Sequence, residues 1–436
     1  MRIEHFIVTL LLIAAQLAYA QKLPDFVKFK PLHVGIIPGF GSSGVYGIKY
    51  EHNVSLNLFS GHAYANNILS IAGISHYQIQ RSQGINIAGI GNIVGAYPFL
   101  LDRMARDSTA EFGAIQIAGL INGVNGSGFG GQLSGGFNLV TGTMDGLQIA
   151  GIHNDVEKAF SGGQISLISN RVGGMAVAFQ SALVINRAKM MSGTQLFALF
   201  NHVSHELDGL QLGGLNVVTN HNSETFRYNK FYWTQIGLIN MAWLNGDGFQ
   251  FGLINYGQNI GFSQFGLINI SKKVPQYPVG LLNLASDADG FLRAHTNRLF
   301  RYNIEMSTGS RKLLNALTYS WDKQRDRQGF SYALGNQVKG PPLKRNLYFY
   351  EAFAQVTHLV ESGQSFFDPH LIYSVKGQFG YNPFLRTKLP SMYFFIGLVG
   401  NATWMEPTEH ELVDGPLVAQ NGNRTFWADL NFGVQL

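Results

Sequence analysis

Two short segments of this chain have residue types and spacings that could support chemistry. Gly39–Gly44 has the glycine spacing of a dinucleotide-binding loop, and His202–Glu206 combines two histidines with a glutamate, as metalloprotease helices do. A β-branched and aromatic segment, Val45–Tyr50, follows the first motif where a helix is required, so we interpret this motif as a hairpin turn before a strand. In the second motif the acid lies outside the two histidines, and we interpret the segment as a structural turn in a repeat.

The remaining composition excludes several classes of site. The chain has no cysteine, which excludes disulfides, thiolate metal sites and a cysteine nucleophile. No serine lies in a Gly-x-Ser-x-Gly elbow, and we therefore expect no enzyme activity, no cofactor and no metal. The formal charge is +5, but no run of lysine or arginine accompanies it, so we expect no nucleic-acid partner.

A short phrase that recurs along the middle of the chain dominates the sequence. It appears as Ala114–Asn122, as Gly146–Asn154 and as Gly248–Asn255, with a period of about 14 to 16 residues. A unit this short cannot hold a pair of helices, so each copy is expected to be a β-strand with a turn or one coil of a β-solenoid. The chain is therefore predicted to be all-β.

Each repeat has an apolar face and a polar face when it is read with the two-residue period of a strand. Ile115 and Ile117 lie on the first face, whereas Gln116 and Asn122 lie on the second. If the repeats are strands of a membrane barrel, the first face contacts lipid and the second faces the lumen. The residues expected to face the lumen are Gln116, Asn122, Gln132, Asn138, Gln148, Asn154, Gln164, Asn170, Lys376 and Gln378.

The N-terminus and the composition together predict an exported protein of the outer membrane. Residues 1–20 combine Arg2, an apolar run and Ala18–Ala20, which is the pattern of a removable signal peptide. Only 13% of the residues are charged, and no later stretch is long and apolar enough for a spanning helix. A chain with these properties can cross a membrane only as a closed barrel, in contact with outer-membrane lipid.

The C-terminal third reads as longer amphipathic strands. In Leu371–Tyr381 the apolar residues alternate with polar ones that include Lys376, which suggests that the second face meets water. The last strand resembles the closing strand of bacterial outer-membrane proteins, although it ends in leucine where that pattern favours phenylalanine. The resemblance implies recognition by the barrel-assembly machinery through Phe426, Leu430, Phe432, Val434 and Leu436.

Two architectures fit these patterns. The preferred one is a single transmembrane antiparallel β-barrel over 21–436, with N-terminal strands in 31–110, repeat strands in 114–283 and C-terminal strands in 284–436. The alternative is a β-solenoid of about 15-residue coils attached to a smaller β-barrel. Because Gln and Asn are separated by five residues rather than six from Gln211 onward, a barrel strand would need a bulge there, which a solenoid would not.

The repeats resemble those of a family of Gram-negative bacterial surface-repeat proteins with tandem Gly-x-Gln-x-Gly-Leu-Ile-Asn units, over about residues 114 to 283. This resemblance implies a location at the cell surface and supplies no catalytic residues. Two functions remain open: a pore-forming or structural component of the envelope, and a surface-exposed binding or adhesion protein. The second would present its insertions, 220–230 and 406–425, to a ligand.

Overall fold

A computed structural model describes residues 27–95, 110–219, 232–310, 312–339, 347–361, 370–383, 392–403, 418–421 and 424–436. The expected signal peptide and the insertion at 220–230 lie outside the described residues, as does most of the segment 406–425. The chain divides into two compact units, Met1–Gly237 and Leu238–Leu436.

The described part of the first unit contains strands of 2 to 34 residues and one 3-10 helix, Gly44–Lys49. Its strands are β1 (Lys28–Ile37), β2 (Phe40–Gly41), β3 (Tyr50–Asn57), β4 (Ser60–Ala72), β5 (Ser75–Ala88), β6 (Gly91–Val94), β7 (Ala110–Ala118), β8 (Ile121–Val124), β9 (Gly126–Ser134), β10 (Phe137–Val140), β11 (Met144–Ala150), β12 (His153–Val156), β13 (Phe160–Ser166), β14 (Ser169–Ser181), β15 (Ile185–Val218) and β16 (Tyr232–Ile236).

Each repeat folds as one coil of a parallel β-solenoid. In the coil at 144–156, β11 is the first strand, a bend at Gly151 and Ile152 follows, and β12 is the second strand. The neighbouring coils stack in register, so that Gln148 pairs with Gln132 on one side and with Gln164 on the other. Glycine is required at the bend because a Cβ on Gly151 would lie 2.1 Å from the carbonyl oxygen of Gly135 in the coil below.

The preferred architecture, a single antiparallel barrel, is therefore wrong for the repeats, and the alternative of a solenoid with a smaller barrel is the one observed. The period-2 interpretation failed because it treated Ala114–Asn122 as one strand. In the structure β7 ends at Ala118 and β8 begins at Ile121, so Gln116 and Asn122 lie on different strands of one coil. At a later copy with the five-residue spacing, residues 252–253 likewise separate Gln250 on β17 from Asn255 on β18, so no bulge is needed there.

Two smaller expectations were also wrong. Val45–Tyr50 was expected to be a strand, but Gly44–Lys49 forms the 3-10 helix and only Tyr50 begins a strand. His202–Glu206 was expected to be a turn, but it lies inside β15. Within the described residues no helix is long and apolar enough to cross a membrane.

The second unit begins with further parallel coils and continues as a separate antiparallel sheet. Its strands are β17 (Ile239–Phe251), β18 (Ile254–Ile260), β19 (Ser263–Phe265), β20 (Ile268–Lys273), β21 (Tyr277–Val279), β22 (Leu282–Ala285), β23 (Asp289–Thr296), β24 (Tyr302–Gly309), β25 (Leu314–Asp322), β26 (Arg327–Lys339), β27 (Tyr348–Glu361), β28 (Leu371–Tyr381), β29 (Tyr393–Thr403), β30 (Val418–Asn421) and β31 (Arg424–Gln435).

The antiparallel sheet closes on itself. Consecutive strands from β23 to β29 pair with one another, β29 pairs with β31, and β31 pairs back with β23, which gives a closed ring of eight strands in the described chain. The short β30 pairs only with β31 among the described strands. In this unit the last coil is bonded to the closed sheet, since the backbone N–H of Gly280 donates to Asn315 Oδ1 at 3.1 Å and that of Asn283 donates to Thr308 Oγ1 at 3.2 Å.

Candidate functional site

Glutamine side chains form a continuous ladder inside the solenoid of the first unit. Gln148 is fully buried; its Nε2 donates to Gln132 Oε1 at 2.8 Å, and its Oε1 accepts from Gln164 Nε2 at 2.7 Å. The same contact joins successive glutamines from Gln116 to Gln235. Stacked amides satisfy one another along the axis, which is how polar side chains can be buried in stacked parallel strands.

Asparagine side chains form a second ladder beside the first. Asn154 Nδ2 donates to Asn170 Oδ1 at 2.9 Å and to the carbonyl oxygen of Ile165 at 2.8 Å, while its Oδ1 accepts from Asn138 Nδ2 at 2.9 Å. Asn154 on β12 is thus joined to both strands of the next coil, β13 and β14. A net value of about 1 kcal/mol per hydrogen bond makes the ladder a sizeable part of the stability of each coil.

The residues expected to face a lumen therefore have two different locations. Gln116, Asn122, Gln132, Asn138, Gln148, Asn154, Gln164 and Asn170 are at most 2% exposed and lie inside the solenoid. Their side chains are hydrogen-bonded to one another and do not line the lumen of a barrel. The expectation that these eight residues face a lumen was therefore wrong. Lys376 and Gln378 lie on the inner side of the closed sheet, where they are also buried.

A compact cluster of charged side chains occupies the middle of the closed sheet. Glu305 accepts from Arg293 Nη1 at 2.9 Å through one oxygen and from Lys376 Nζ at 2.9 Å through the other. Arg293 also pairs with Glu351 and donates from Nη2 to Gln435 Oε1 at 2.7 Å. The two cations and two anions balance, which is the arrangement that buried charges require.

Apolar side chains fill both ends of the same interior. One end holds Phe291, Leu314, Ala316, Ala333 and Phe353. The other end holds Leu299, Phe300, Leu359, Ile372 and Trp427, two of which come from the turn between β23 and β24. Between the charged cluster and this second group is a polar cavity of about 30 Å³, which is room for a water molecule.

The outer side of the closed sheet is apolar and ordered in bands. Leu398, at the centre of β29, is 67% exposed, and its neighbour across the sheet, Leu430, is 54% exposed. Outward aromatic side chains lie near both ends of the strands: Tyr302, Tyr319, Trp321 and Phe330 at one end, and Tyr348, Tyr350, Phe379, Tyr381 and Phe394 at the other.

The residues expected to form the insertion signal lie on this outer side of β31 or at its end. Phe426, Leu430, Phe432 and Leu436 are exposed and Val434 is half-buried.

An apolar outer surface, which we call the apolar face, lies on the solenoid of the first unit. It consists of two columns of outward side chains that flank the glutamine ladder on the first strand of each coil. The first column is Leu32, Val54, Leu69, Ile85, Ile115, Gly131, Leu147, Gly163 and Phe179. The second is Val34, Leu56, Ile71, Ile87, Ile117, Leu133, Ile149, Ile165 and Ser181. None of these residues is charged, whereas the second strands carry exposed charges such as the Arg171–Asp155 pair at 2.9 Å.

In the first coils His33 continues the glutamine column through Ser55, Ser70 and Asn86, and His76 continues the asparagine column through Asn92. The rings of His33 and His52 stack with centroids 4.8 Å apart, and His76 Nε2 is 2.7 Å from Ser70 Oγ. Burial lowers the pKa of His33, His62 and His76 to about 4, so these rings are neutral at pH 7. No group of histidine, aspartate and glutamate suited to a metal ion occurs among the described residues.

Sequence reasoning missed Arg293, Glu305 and Glu351, although a signal for them exists. Each occupies the inward position of a strand whose outward neighbours are apolar or aromatic, the same pattern that singled out Lys376. A search for all charged residues at the centre of alternating strands would have identified the whole cluster.

Comparison with known proteins gives no relative for this fold. No protein-family model, no curated protein and no solved structure matches the chain.

Proposed function

We propose that this chain is a structural component of the outer membrane, in which the closed sheet of β23–β31 anchors the protein in lipid and the solenoid is a rigid scaffold outside the bilayer. The observation that carries this proposal is the exterior of the closed sheet. An outward aliphatic band between aromatic side chains is typical of outer-membrane barrels. β28 and β29 each have 11 residues, the length that a tilted transmembrane strand needs.

The filled interior favours an anchor over a pore. A barrel of eight strands has an interior just wide enough for side chains. Here the charged cluster around Glu305 lies between two apolar groups, and the polar cavity has room only for water. A hydrated solute has no path through such an interior.

A binding or adhesion role is the second candidate, and the solenoid supports it. Stacked coils with internal amide ladders form a stiff rod that presents a regular outer surface, as repeat proteins use for binding. The apolar face is an exposed surface of the kind that marks interaction sites.

Two measurements on the full chain test the anchor. The membrane fraction should retain the protein through urea washing, and the purified protein should give no single-channel conductance in planar bilayers. Deleting Phe426–Leu436 should abolish stable membrane insertion, because β31 closes the ring with both β23 and β29. Release by urea would contradict the anchor, and steady conductance would contradict the filled barrel.

A further inference from the structure

From Ile115 to Phe179 the first column of the apolar face alternates between large side chains and glycine, whereas every row before it, from Leu32 to Ile85, holds a large side chain. From one coil to the next, the residues that pair at this position are Ile115, Gly131, Leu147, Gly163 and Phe179. Since neighbouring strands are about 4.8 Å apart, large side chains recur about every 9.6 Å with empty slots between them.

The fold of the single chain gives no reason for the glycines in these slots. A Cβ on Gly131 would meet no atom within 4 Å, and one on Gly163 would meet only Leu147 Cδ1, the movable end of a side chain, at 3.0 Å. Neither residue has a positive φ angle, in contrast to Gly146, whose φ is 137°. Glycine also weakens a strand relative to residues with side chains. The space at positions 131 and 163 therefore favours contact with a side chain of another molecule.

We propose that the apolar face binds a second copy of this chain, with Leu147 of each copy entering the slot at position 131 or 163 of the other. Two sheets that pack face to face interdigitate their side chains at about 10 Å separation. A twofold interface brings the same surface of both copies together, so an uncharged surface avoids like-charge contacts. Lipid acyl chains are fluid and adapt to any apolar surface, so contact with lipid would not require large side chains to alternate with glycine. This proposal does not depend on the membrane anchor.

The register of this docking decides how much surface it covers. A twofold axis that places Leu147 opposite position 131 reverses the order of the rows, so within the apolar face only the six rows from Ile85 to Phe179 lie opposite one another. The same two columns continue without a charged residue beyond Phe179, and these rows lie opposite the first three: Thr194 and Leu196, Leu210 and Leu212, and Thr234 and Ile236. Twelve rows at the spacing of neighbouring strands, with a width of roughly 15 Å, cover roughly 800 Å² per copy, or roughly 1,600 Å² in total, which is above the limit of about 1,000 Å² for a specific interface.

The test measures the mass of the purified full chain in detergent by sedimentation velocity. The wild-type chain should be a dimer, and Gly131→Val combined with Gly163→Val should raise the dissociation constant at least tenfold. Leu147→Ala removes the large side chain without adding volume and should act in the same direction. The control variant Asp155→Val places a valine on the second strand of the coil that contains Leu147, outside the apolar face, and should leave the dimer intact. Hydrogen exchange of the coils confirms that each variant is folded.

A monomeric wild-type chain, or a glycine double variant with an unchanged dissociation constant, would overturn the proposal. A fluorophore on Ile117→Cys, in the second column of the apolar face and the only cysteine in that variant, tests whether lipid covers the face instead. Protection from brominated acyl chains in vesicles is expected for a dimer, whereas strong quenching would show that lipid covers the face and would also overturn the proposal.

Discussion

Changing Asn154 to aspartate tests the orientation of the asparagine ladder with almost no change of shape. Asn154 Nδ2 donates to the carbonyl oxygen of Ile165 and to Asn170 Oδ1. In Asn154→Asp an oxygen replaces this donor, so that acceptors face acceptors at 2.8 and 2.9 Å in a fully buried position.

The expected destabilisation at pH 7 is about 5 kcal/mol. A carboxyl with an ordinary pKa near 3.9 must be held neutral in the dry interior, which costs about 4 kcal/mol at pH 7 at 1.36 kcal/mol per pH unit. The protonated group can restore one of the two lost donations, so the loss of the other adds about 1 kcal/mol. Since the pKa of this carboxyl is raised by folding, the protonation cost is present above pH 4 and disappears as the pH falls to 4.

Hydrogen exchange of peptides from 144–172 in the full chain, measured for wild type and variant at pH 7 and pH 4, gives the local opening free energies. Asp155→Asn makes the reverse change at the next residue, which lies in an exposed ion pair with Arg171, and should cost at most about 1 kcal/mol. If Asn154→Asp costs no more than this control, or if its cost is the same at both pH values, the buried ladder is wrong.

Two further predictions concern the histidines and the charged cluster. The pKa of His76 is lowered from 6.5 to about 4, mainly by burial, so folding stability should fall as the pH drops from 7 to 5, by about 2 kcal/mol for this group. In the next coil Asn92 occupies the position that corresponds to His76, so His76→Asn should fit the ladder. This variant should reduce the acid sensitivity of hydrogen exchange in β5. An unchanged pH dependence would contradict the buried neutral ring. Glu305→Gln leaves Arg293 and Lys376 short of one anion and should cost about 3 to 5 kcal/mol, seen as a lower temperature of the heat-modifiable gel shift. The control is Glu361→Gln at the end of β27, which loses a pair with Arg327 but removes a carboxylate that is 20% exposed, and equal shifts would contradict a buried cluster.

The sequence predicted the strands and the alternation of their faces but not the assembly of the repeats. Two-residue periodicity identifies which side of a strand is apolar, and the same periodicity occurs in barrels and in solenoids. The decisive feature is the turn at Gly119 and Leu120, since it divides the repeat into two strands. The change to a five-residue spacing already indicated a turn, which the structure shows between Gln250 on β17 and Asn255 on β18, whereas Gln211 and Asn216 both lie within β15.

The apolar exterior also misled the prediction. An outward set of Ile115, Ile117 and Leu133 was expected to contact lipid, because a solenoid would place it in water. A dimer through the apolar face would remove this conflict, since a partner would cover the surface. The cluster around Glu305 could not be assembled from sequence because its partners come from β23, β24, β27 and β28, and only closure of the sheet brings them together.

The membrane anchor is tested most directly by a nitroxide spin label on Leu398→Cys, at the centre of β29 and on its outer side. In membranes this label should be relaxed strongly by oxygen, which dissolves in lipid, and weakly by a water-soluble nickel complex. The same label on Asp155→Cys, on the exposed surface of the solenoid, should show the opposite preference. Strong relaxation of the label at position 398 by the nickel complex would contradict a lipid-facing position and with it the proposed anchor.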